Sequence, residues 1–382
     1  MVVSLKELIE HGIVFPALLP RKNDYLFNEN GKRRIEELVS AGEEAIGRFH
    51  DMDISMKIGL LDLSLLDRLA GYTVNILSHD YTGRTPSMWN DLYEKFGLNI
   101  RNFMVVGKKE NLKSIVDAFR SDPKYLGGGA SAGFKEIVMP LLDELVPGDI
   151  NSANAIVKSN GKLIGYNTDA DGLFRSLEEK LVSLGSGVRG RKFLVVGAGG
   201  VAQQFVRHLI NNGVSYVTIV NRTVEKAVNM ALKMNQEYRR DIAEAKSEDE
   251  VEGLLLSRDC AAIVNTSEKG GDKIPYGNMF YAVSEDSEFR ARELIRKLKT
   301  AKLGLVYVDI TLPKSGKPNS LRILEEEGID KKYIVDGIPM VVYQAVPVYK
   351  RIEKSHLKEH NGLVLSESEV LDTFLESQGM KK

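Results

Sequence analysis

A short apolar run followed by closely spaced glycines constrains this chain more than any other feature. Phe193–Val196 is apolar at every position, which is typical of a strand that is buried on both faces of a parallel sheet. The sequence Gly197-Ala198-Gly199-Gly200-Val201-Ala202 follows directly, and helical spacing continues to Leu209. A strand, a glycine turn and a helix in this order predict one unit of an open, parallel α/β sheet.

The glycine turn has the form G-x-G-x-x-A, which binds the pyrophosphate of a dinucleotide in folds of this kind. Gly197 makes the tight turn, Gly199 lets the backbone approach the phosphates, and Ala202 lets helix and strand pack closely. The N–H groups at the start of the helix attract anions. We therefore predict a dinucleotide site over Gly197, Ala198, Gly199, Gly200, Val201 and Ala202, with a glycine loop that binds no ligand as the alternative.

The end of the next predicted strand, Tyr216–Val220, distinguishes between the two nicotinamide dinucleotides. The following residues, Asn221-Arg222-Thr223, lack the carboxylate that would bind the ribose 2′-hydroxyl of NAD. Arg222, Thr223 and Lys226 offer two cations and a hydroxyl to a 2′-phosphate. NADP is therefore the predicted cofactor, with Asn221 included in its site, and an exposed loop cation is the alternative for Arg222.

Composition excludes several other classes of protein. Lys plus Arg number 52 and Asp plus Glu number 53, so the net charge of -1 offers no general attraction for nucleic acid or an acidic membrane. No apolar run is long enough to span a membrane, and Lys6, Glu7 and Glu10 interrupt what would be a signal peptide. The single cysteine, Cys260, and six scattered histidines offer no metal-ligand pattern. We expect a cytoplasmic protein without a metal, a nucleic-acid partner or a membrane segment.

Alternating strand and helix patterns on both sides of the glycine turn predict an α/β fold with two domains around a cleft. Residues 70–172 with 338–382 are predicted to form the substrate-binding catalytic domain, and residues 173–337 the Rossmann NADP-binding domain. Residues 1–69 are an N-terminal extension that could be a dimer interface, an added layer on the sheet or a lid. Two charged segments, 236–252 and 284–299, are predicted to be solvated surface insertions.

Hydride chemistry at a nicotinamide requires a group that moves a proton to or from a hydroxyl or carbonyl. The histidines are scattered along the chain, so Lys135 and Asp169 are the better candidates. Each has a structural alternative, a solvated lysine at a helix start for Lys135 and a helix N-cap for Asp169.

Four ordered motifs give the chain a family resemblance. Asn154-Ala155-Ile156-Val157, followed by Gly165-Tyr166-Asn167-Thr168-Asp169 and Gly172, is similar to the central signature of the shikimate/quinate dehydrogenase family. The glycine turn and Asn221-Arg222-Thr223 look like that family's NADP-binding motifs, and the segment 336–345 resembles its closing helix. The similarity covers about residues 70–355.

The resemblance implies a reversible, NADP-linked oxidation of a ring hydroxyl of shikimate, or of a close relative, in the biosynthesis of aromatic amino acids. Lys135 matches the family's catalytic lysine and Asp169 its partner aspartate. Asn154 matches the asparagine that binds a ring hydroxyl, and Gln344 the glutamine that reaches the substrate; a turn residue and a surface residue are the respective alternatives. The predicted cofactor site also includes Asn265, Thr266, Gly337 and Met340.

The chain departs from the family where the substrate carboxylate would bind. Gly83-Arg84-Thr85-Pro86 replaces Ser-x-Ser-Pro, and Gly129-Ala130-Ser131 replaces Asn-Val-Thr, while the tyrosine expected after Asp309 is absent. Thr85 and Ser131 can still donate hydrogen bonds, and Arg84 either contacts a carboxylate or points to solvent. We predict that the reaction type is retained and that the small-molecule ring carboxylate is shikimate, quinate or another hydroxylated cyclic acid. A non-catalytic NADP-binding sensor is the alternative from another class, and a homodimer is left open.

Overall fold

The computed structural model describes residues 4–10, 14–16, 63–77, 85–131, 133–256, 260–313, 316–357 and 364–380. In these residues the strands are β1 (Val14–Pro16), β2 (Gly71–Leu77), β3 (Ile100–Gly107), β4 (Tyr125–Ala130), β5 (Glu144–Val146), β6 (Ala155–Ser159), β7 (Lys162–Tyr166), β8 (Lys192–Val196), β9 (Tyr216–Val220), β10 (Ala243–Lys246), β11 (Cys260–Asn265), β12 (Val306–Asp309) and β13 (Ile334–Val335). The α-helices are α1 (Leu5–Glu10), α2 (Leu63–Arg68), α3 (Thr85–Lys95), α4 (Leu112–Ser121), α5 (Asp169–Ser183), α6 (Gly200–Asn211), α7 (Val224–Tyr238), α8 (Val251–Leu256), α9 (Ser287–Thr300), α10 (Asn319–Glu326), α11 (Ile338–Ile352) and α12 (Glu367–Ser377). None of the described helices is long and apolar enough to cross a membrane.

The chain divides into two compact units. The described residues up to Thr168 and from Ala345 form the first unit, and Asp169–Gln344 form the second. The domain boundaries predicted from the sequence, at 172/173 and 337/338, therefore differ by a few residues. The difference arises because the division falls at the first residue of α5 and inside α11, where no loop composition marks a boundary.

The first unit contains a mixed sheet of seven strands in the order β1-β3-β2-β4-β6-β7-β5. Strand β2 lies parallel to both β3 and β4, whereas β6 is antiparallel to β4 and β7. The predicted hairpin is confirmed, because β6 and β7 are joined by a turn in which Asn160 has a φ of 50° and Gly161 a φ of 77°. Positive φ at both central residues is what a tight hairpin turn requires.

The described parts of the N-terminal extension belong to this sheet and its core. Strand β1 pairs antiparallel with β3, so that Val14 lies opposite Gly107 at the sheet edge. Leu5, Leu8 and Ile9 of α1 are buried in the same apolar cluster as the strand residues of the first unit. These residues therefore add an edge strand and buried apolar side chains to the first unit, and the role of the whole extension stays a prediction.

Strand β4 requires glycine at its centre. A Cβ atom on Gly128 would lie 1.8 Å from the carbonyl oxygen of Val74, and the φ of Gly128 is 152°. A residue with a side chain would therefore clash with β2. The glycine run therefore lets β4 lie close to its neighbouring strands, at positions where a side chain would collide with them.

The second unit is a fully parallel sheet of six strands in the order β10-β9-β8-β11-β12-β13. In chain order within this unit this is 3-2-1-4-5-6, the order of a Rossmann fold, with the reversal of direction between β8 and β11. Helices α5, α6 and α7 pack in one apolar cluster, and α8, α9 and α10 pack in another. The predicted Rossmann domain is confirmed, and the ends of β8 and β11 lie where such sheets bind ligands.

The prediction that 236–252 and 284–299 are surface insertions was wrong. Strand β10 pairs with β9 at the edge of the parallel sheet, and α9 buries Ala291, Leu294, Ile295 and Leu298 in the core. The charges of α9 occupy its other face, where Arg292 forms ion pairs with Glu288 and Glu327. The many charged residues made the apolar spacing of α9 hard to recognise, because residues of the polar and the apolar face of an amphipathic helix alternate along the sequence.

Candidate active site

The glycine turn after β8 has the geometry that its sequence predicts. Gly197 has a φ of 114°, and its N–H donates to the carbonyl oxygen of Val220 at 2.8 Å. A Cβ atom on Gly197 would lie 2.6 Å from Oγ1 of Thr266, and that hydroxyl donates to the carbonyl of Val196 at 2.8 Å. Only glycine fits both the backbone conformation and this close approach.

The start of α6 faces open space. Gly199 is the N-cap residue of α6 without a side-chain capping bond, and a Cβ atom built on it would meet nothing within 4 Å. Ala202, by contrast, is fully buried in the core between helix and sheet. The turn therefore packs on its inner side and presents backbone N–H groups on its outer side, as a phosphate site requires.

The residues predicted to read the 2′-phosphate lie beside this turn. Nδ2 of Asn221 donates to the carbonyl oxygen of Thr223 at 2.8 Å and so orders the loop that leads into α7. Arg222, Thr223 and Lys226 are exposed. Because Val220 accepts the bond from Gly197, the end of β9 lies beside the glycine turn. Arg222, Thr223 and Lys226 follow Val220 in the chain after two, three and six residues.

Asn265, a residue of the predicted cofactor site, has a buried side chain, which is 0% exposed. Its Nδ2 donates to Oδ1 of Asp309 at 3.0 Å, and its Oδ1 accepts from the backbone N–H and the hydroxyl of Ser267. The amide is thus hydrogen-bonded inside the protein and organises the loop after β11, and a contact of Asn265 with the cofactor stays a prediction.

Gly337 and Met340 occupy packing positions at the start of α11. A Cβ atom on Gly337 would lie 2.7 Å from the carbonyl oxygen of Ile310, so the chain passes the end of β12 at close range. Met340 is buried in the apolar cluster of α5, α6 and α7. Their contact with the cofactor stays a prediction.

Asp309 ends β12 as a fully buried carboxylate. Its Oδ1 accepts bonds from Asn265 and from the backbone N–H of Thr311 at 2.9 Å. No hydrogen bond to Oδ2 is found among the described residues. Burial raises the pKa of Asp309 to about 6, although its hydrogen bonds act in the opposite direction.

This pKa predicts a pH-dependent stability that Asp309→Asn should remove. Because the folded pKa of about 6 exceeds the ordinary value of 3.8, the folded state binds the proton more tightly. The contribution of Asp309 to stability is then greatest below its unfolded pKa and falls as the pH rises through the interval between the two values. A shift of this size corresponds to a loss of about 3 kcal/mol at neutral pH. Urea unfolding at pH values near 3.8 and near 6 should show that raising the pH lowers the stability of the wild type relative to that of Asp309→Asn. The same pH dependence in both proteins would contradict the prediction.

Lys135 and Asn154 approach each other in the first unit. The carbonyl oxygen of Lys135 accepts from the N–H of Ala153 at 2.8 Å, which holds the segment after β4 against the segment that enters β6. Ser131 begins the first of these segments, and its N–H donates to the carbonyl oxygen of Ile76 at 3.0 Å. Ser131 and Lys135 are both half-buried. The structure therefore places these three predicted site residues together at the carboxyl ends of β2 and β4.

Asn154 also fixes the backbone that leads to Asp169. Its Oδ1 accepts from the N–H of Thr168 at 2.8 Å, and its Nδ2 donates to Oγ1 of Thr168 at 3.1 Å. Asp169 is the next residue in the chain, is buried, and begins α5, where a carboxylate interacts favourably with the helix dipole. The two amide bonds thus hold Thr168, the residue before α5, against the Asn154 segment.

Gly172 explains how Gln344 comes to lie near that turn. A Cβ atom on Gly172 would lie 2.5 Å from the carbonyl oxygen of Met340 and 2.8 Å from the N–H of Gln344. Helices α5 and α11 therefore cross in direct backbone contact, one turn after Asp169. Gln344 is half-buried, and its Nε2 donates to the carbonyl oxygen of Val341 at 3.2 Å.

Two predicted substrate residues cannot be placed by their side chains. Arg84 lies outside the described residues, and Thr85 begins α3 with a side chain that is also outside them. The roles assigned to Arg84 and Thr85 stay predictions.

A buried ion pair beside the cofactor site was missed in the sequence. Lys269 and Glu248 are 3% and 6% exposed, and Nζ of Lys269 donates to Oε1 of Glu248. Oε2 of Glu248 accepts from the N–H of Ala282 at 3.0 Å. Burial lowers the pKa of Lys269, and the charge of nearby Arg222 acts in the same direction. The only sequence signal was the Ser247/Glu250 capping box, which is confirmed and places Glu248 at the start of a short helix.

The strand order and the glycine turn define the second unit as a Rossmann-type nucleotide-binding domain. The first unit, which carries Lys135 and Asn154, is also an α/β unit. A profile of the shikimate/quinate 5-dehydrogenase family matches residues 179–257, which include the glycine turn and Arg222. The shikimate dehydrogenase (NADP(+)) of Halothermothrix orenii is 30% identical over 271 residues, which cover 70% of this chain and 85% of that protein. The chain belongs to the shikimate/quinate dehydrogenase family.

Solved structures agree with this assignment. The crystal structure of shikimate dehydrogenase from Aquifex aeolicus is 26% identical, has a TM-score of 0.58, and the match covers 80% of this chain and 97% of that one. Quinate dehydrogenase from Corynebacterium glutamicum in complex with NAD is 21% identical with a TM-score of 0.60, over 80% of this chain and 99% of that one. At this identity the second similarity shows the fold alone.

Proposed function

We propose that the protein is an NADP-dependent shikimate dehydrogenase of aromatic amino-acid biosynthesis. It transfers hydride reversibly between NADP(H) and the ring hydroxyl or ketone of shikimate and 3-dehydroshikimate. The observation that carries the proposal is the hydrogen-bonded connection from Lys135 through Ala153 and Asn154 to Thr168, which directly precedes Asp169. This connection occurs in a chain that matches 85% of the length of a shikimate dehydrogenase (NADP(+)).

Lys135 of the first unit supplies the proton transfer. During oxidation, Nζ of Lys135 accepts the proton of the ring hydroxyl, and during reduction it returns a proton to the ketone oxygen. The carboxylate of Asp169 orients the amine, and Asn154 and Gln344 bind the remaining ring groups. The bound nicotinamide supplies the hydride acceptor or donor.

The second unit binds the cofactor. The backbone from Gly197 to Ala202 receives the pyrophosphate at the start of α6, where the helix dipole and the N–H groups favour an anion. Arg222, with Thr223 and Lys226, binds the 2′-phosphate that distinguishes NADP from NAD. The supporting observation is that these three side chains are exposed two to six residues after Val220, the acceptor of the bond from Gly197.

Replacement of Arg222 by alanine should reduce the preference for NADP. A hydrogen bond to a charged group contributes about 1.5–3 kcal/mol, so KM for NADP should rise roughly 10- to 100-fold. KM for NAD should change little, because NAD has no 2′-phosphate. Arg240→Ala, at an exposed arginine just beyond the other end of α7, is the matched control. An equal change for both dinucleotides would show that Arg222 does not read the phosphate.

The function itself is tested by steady-state assays of shikimate and quinate, each with NADP and with NAD. Shikimate with NADP should give the highest kcat/KM. No NADPH formation with either acid would contradict the proposed substrate. Failure to bind NADPH in a titration would contradict the proposal that the protein is an NADP-dependent enzyme.

Quinate or another hydroxylated cyclic acid is the second candidate substrate. It is favoured by Gly129-Ala130-Ser131, which stands where the family has Asn-Val-Thr, because Ser131 lies at the carboxyl end of β4 beside the Lys135 segment. The same fold is present in a quinate dehydrogenase, so the fold does not select the acid. The cytoplasmic location, the homodimer and the absence of a nucleic-acid partner stay predictions.

A further inference from the structure

We infer that Asn75 is an additional specificity-determining residue, whose Oδ1 accepts a hydrogen bond from a hydroxyl group of the substrate. The inference rests on the proposed function, because it places this oxygen in the site of the ring acid. Asn75 was not among the residues that the sequence singled out.

Asn75 lies near the carboxyl end of β2 on a face that is otherwise closed. It pairs with Met104 on β3 and with Gly129 on β4. Thr73, two residues earlier on the same face, is completely buried, whereas Asn75 is half-buried. The face therefore opens toward solvent at Asn75, at the end of the sheet where Ser131 follows β4.

Hydrogen bonds determine which way the amide of Asn75 points. Nδ2 of Asn102 donates to the carbonyl oxygen of Thr73 at 3.3 Å and to its hydroxyl at 2.8 Å. A carbonyl oxygen can only accept, so the orientation of the Asn102 amide is determined and its Oδ1 must be the acceptor. Nδ2 of Asn75 donates to this oxygen at 3.3 Å. The Oδ1 atom of Asn75 is therefore the end of the amide that is directed away from the network.

The position of that oxygen is given by the glycine beside it. A Cβ atom on Gly129 would lie 2.8 Å from Oδ1 of Asn75 and 2.6 Å from the carbonyl oxygen of Asn154. The oxygen thus lies over a residue without a side chain, next to the backbone of the asparagine that is proposed to bind a ring hydroxyl. Among the residues that the structure describes, no donor to Oδ1 of Asn75 is found.

The chemistry of this atom limits what it can bind. An amide oxygen accepts hydrogen bonds and does not attract a carboxylate, so Asn75 reads a hydroxyl group of the ring and not its acid. A site that holds an acceptor for a substrate hydroxyl discriminates against an analogue that lacks the hydroxyl, because the acceptor is then left without a partner. Asn75 accordingly favours a ring substrate that carries a hydroxyl group at the position facing this oxygen.

Asn75→Leu tests the inference, because leucine has a similar size and no acceptor. A neutral hydrogen bond contributes about 1 kcal/mol, so KM for shikimate should rise roughly 3- to 10-fold, while KM for NADP stays unchanged. The ratio of kcat/KM for shikimate to that for an analogue with one ring hydroxyl fewer should decrease in the variant. Thr73→Val is the control: it removes the hydroxyl that contacts Tyr93 and Asn102 but keeps the carbonyl oxygen that orients the Asn102 amide, so it should lower stability without changing either quantity.

The outcomes separate this inference from the function on which it rests. Wild-type protein that turns over neither shikimate nor quinate would overturn the proposed function and the role of Asn75 together. Wild-type turnover with an unchanged KM and an unchanged ratio in Asn75→Leu would overturn the role of Asn75 alone. Equal changes in Asn75→Leu and Thr73→Val would also overturn it, since they would reflect a general loosening of β2.

Discussion

Lys135→Ala is expected to lower kcat roughly 100- to 10,000-fold while the affinity for NADPH stays unchanged. Proton transfer by a positioned side chain contributes about this much to a rate. The backbone of Lys135 is held against Ala153, so the variant should keep the fold of the segment while losing the amine. The measurement is steady-state kinetics on shikimate, with NADPH binding followed by fluorescence titration.

Lys162→Ala is the matched control for this prediction. Lys162 is an exposed lysine at the start of β7 in the same unit, and its loss should leave kcat within about twofold of the wild type, as is usual for a surface site. Full activity of Lys135→Ala would contradict the proposed chemistry. A wild type that binds NADPH and turns over none of the tested acids would instead favour the non-catalytic sensor.

Lys269→Met is expected to be the most destabilising of the substitutions considered. The variant leaves the carboxylate of Glu248 buried at 6% exposure without its cation. Removing one partner of a buried ion pair costs about 3–5 kcal/mol, because the remaining charge has lost its compensation. Urea unfolding at neutral pH should therefore show a large decrease in the midpoint.

The double variant Lys269→Met with Glu248→Gln should recover most of that loss. Glutamine removes the buried charge and retains an oxygen that can accept the bond from Ala282. The ion pair of Lys273 with Glu268 provides the control, since both of its side chains are largely exposed and its nitrogen and oxygen lie 2.7 Å apart. Lys273→Met should cost less than about 1 kcal/mol. A Lys269→Met variant no less stable than Lys273→Met would show that burial does not govern the strength of this pair.

Features with a local cause could be predicted from the sequence. Strand β9 begins and ends at the predicted residues, and the turn at Ser159–Gly161 joins the predicted hairpin. The glycine turn has its predicted form because Gly197 takes a positive φ directly after β8 and Gly199 leaves the start of α6 open. Apolar spacing, turn residues and glycine positions act over short distances along the chain, so the local sequence contains the information that determines these features.

Features that depend on a distant partner could not be predicted in this way. Asn265 has the same amide as Asn154, yet one is locked inside the sheet by Asp309 and the other links two segments of the candidate site. Glu248 belongs to a charged run that resembles a solvated surface until Lys269 is found beside it.

The sequence by itself therefore determined the alternation of strands and helices next to the glycine turn, the nucleotide-binding turn itself, and the residue types that can transfer a proton. The tertiary structure alone decided which polar groups are buried, which are oriented by a partner and which remain accessible. The physical reason is that burial and hydrogen bonding depend on segments far apart in the chain. Asn75 illustrates this: its oxygen is directed over Gly129 only because Asn102, on another strand, holds the other end of its amide.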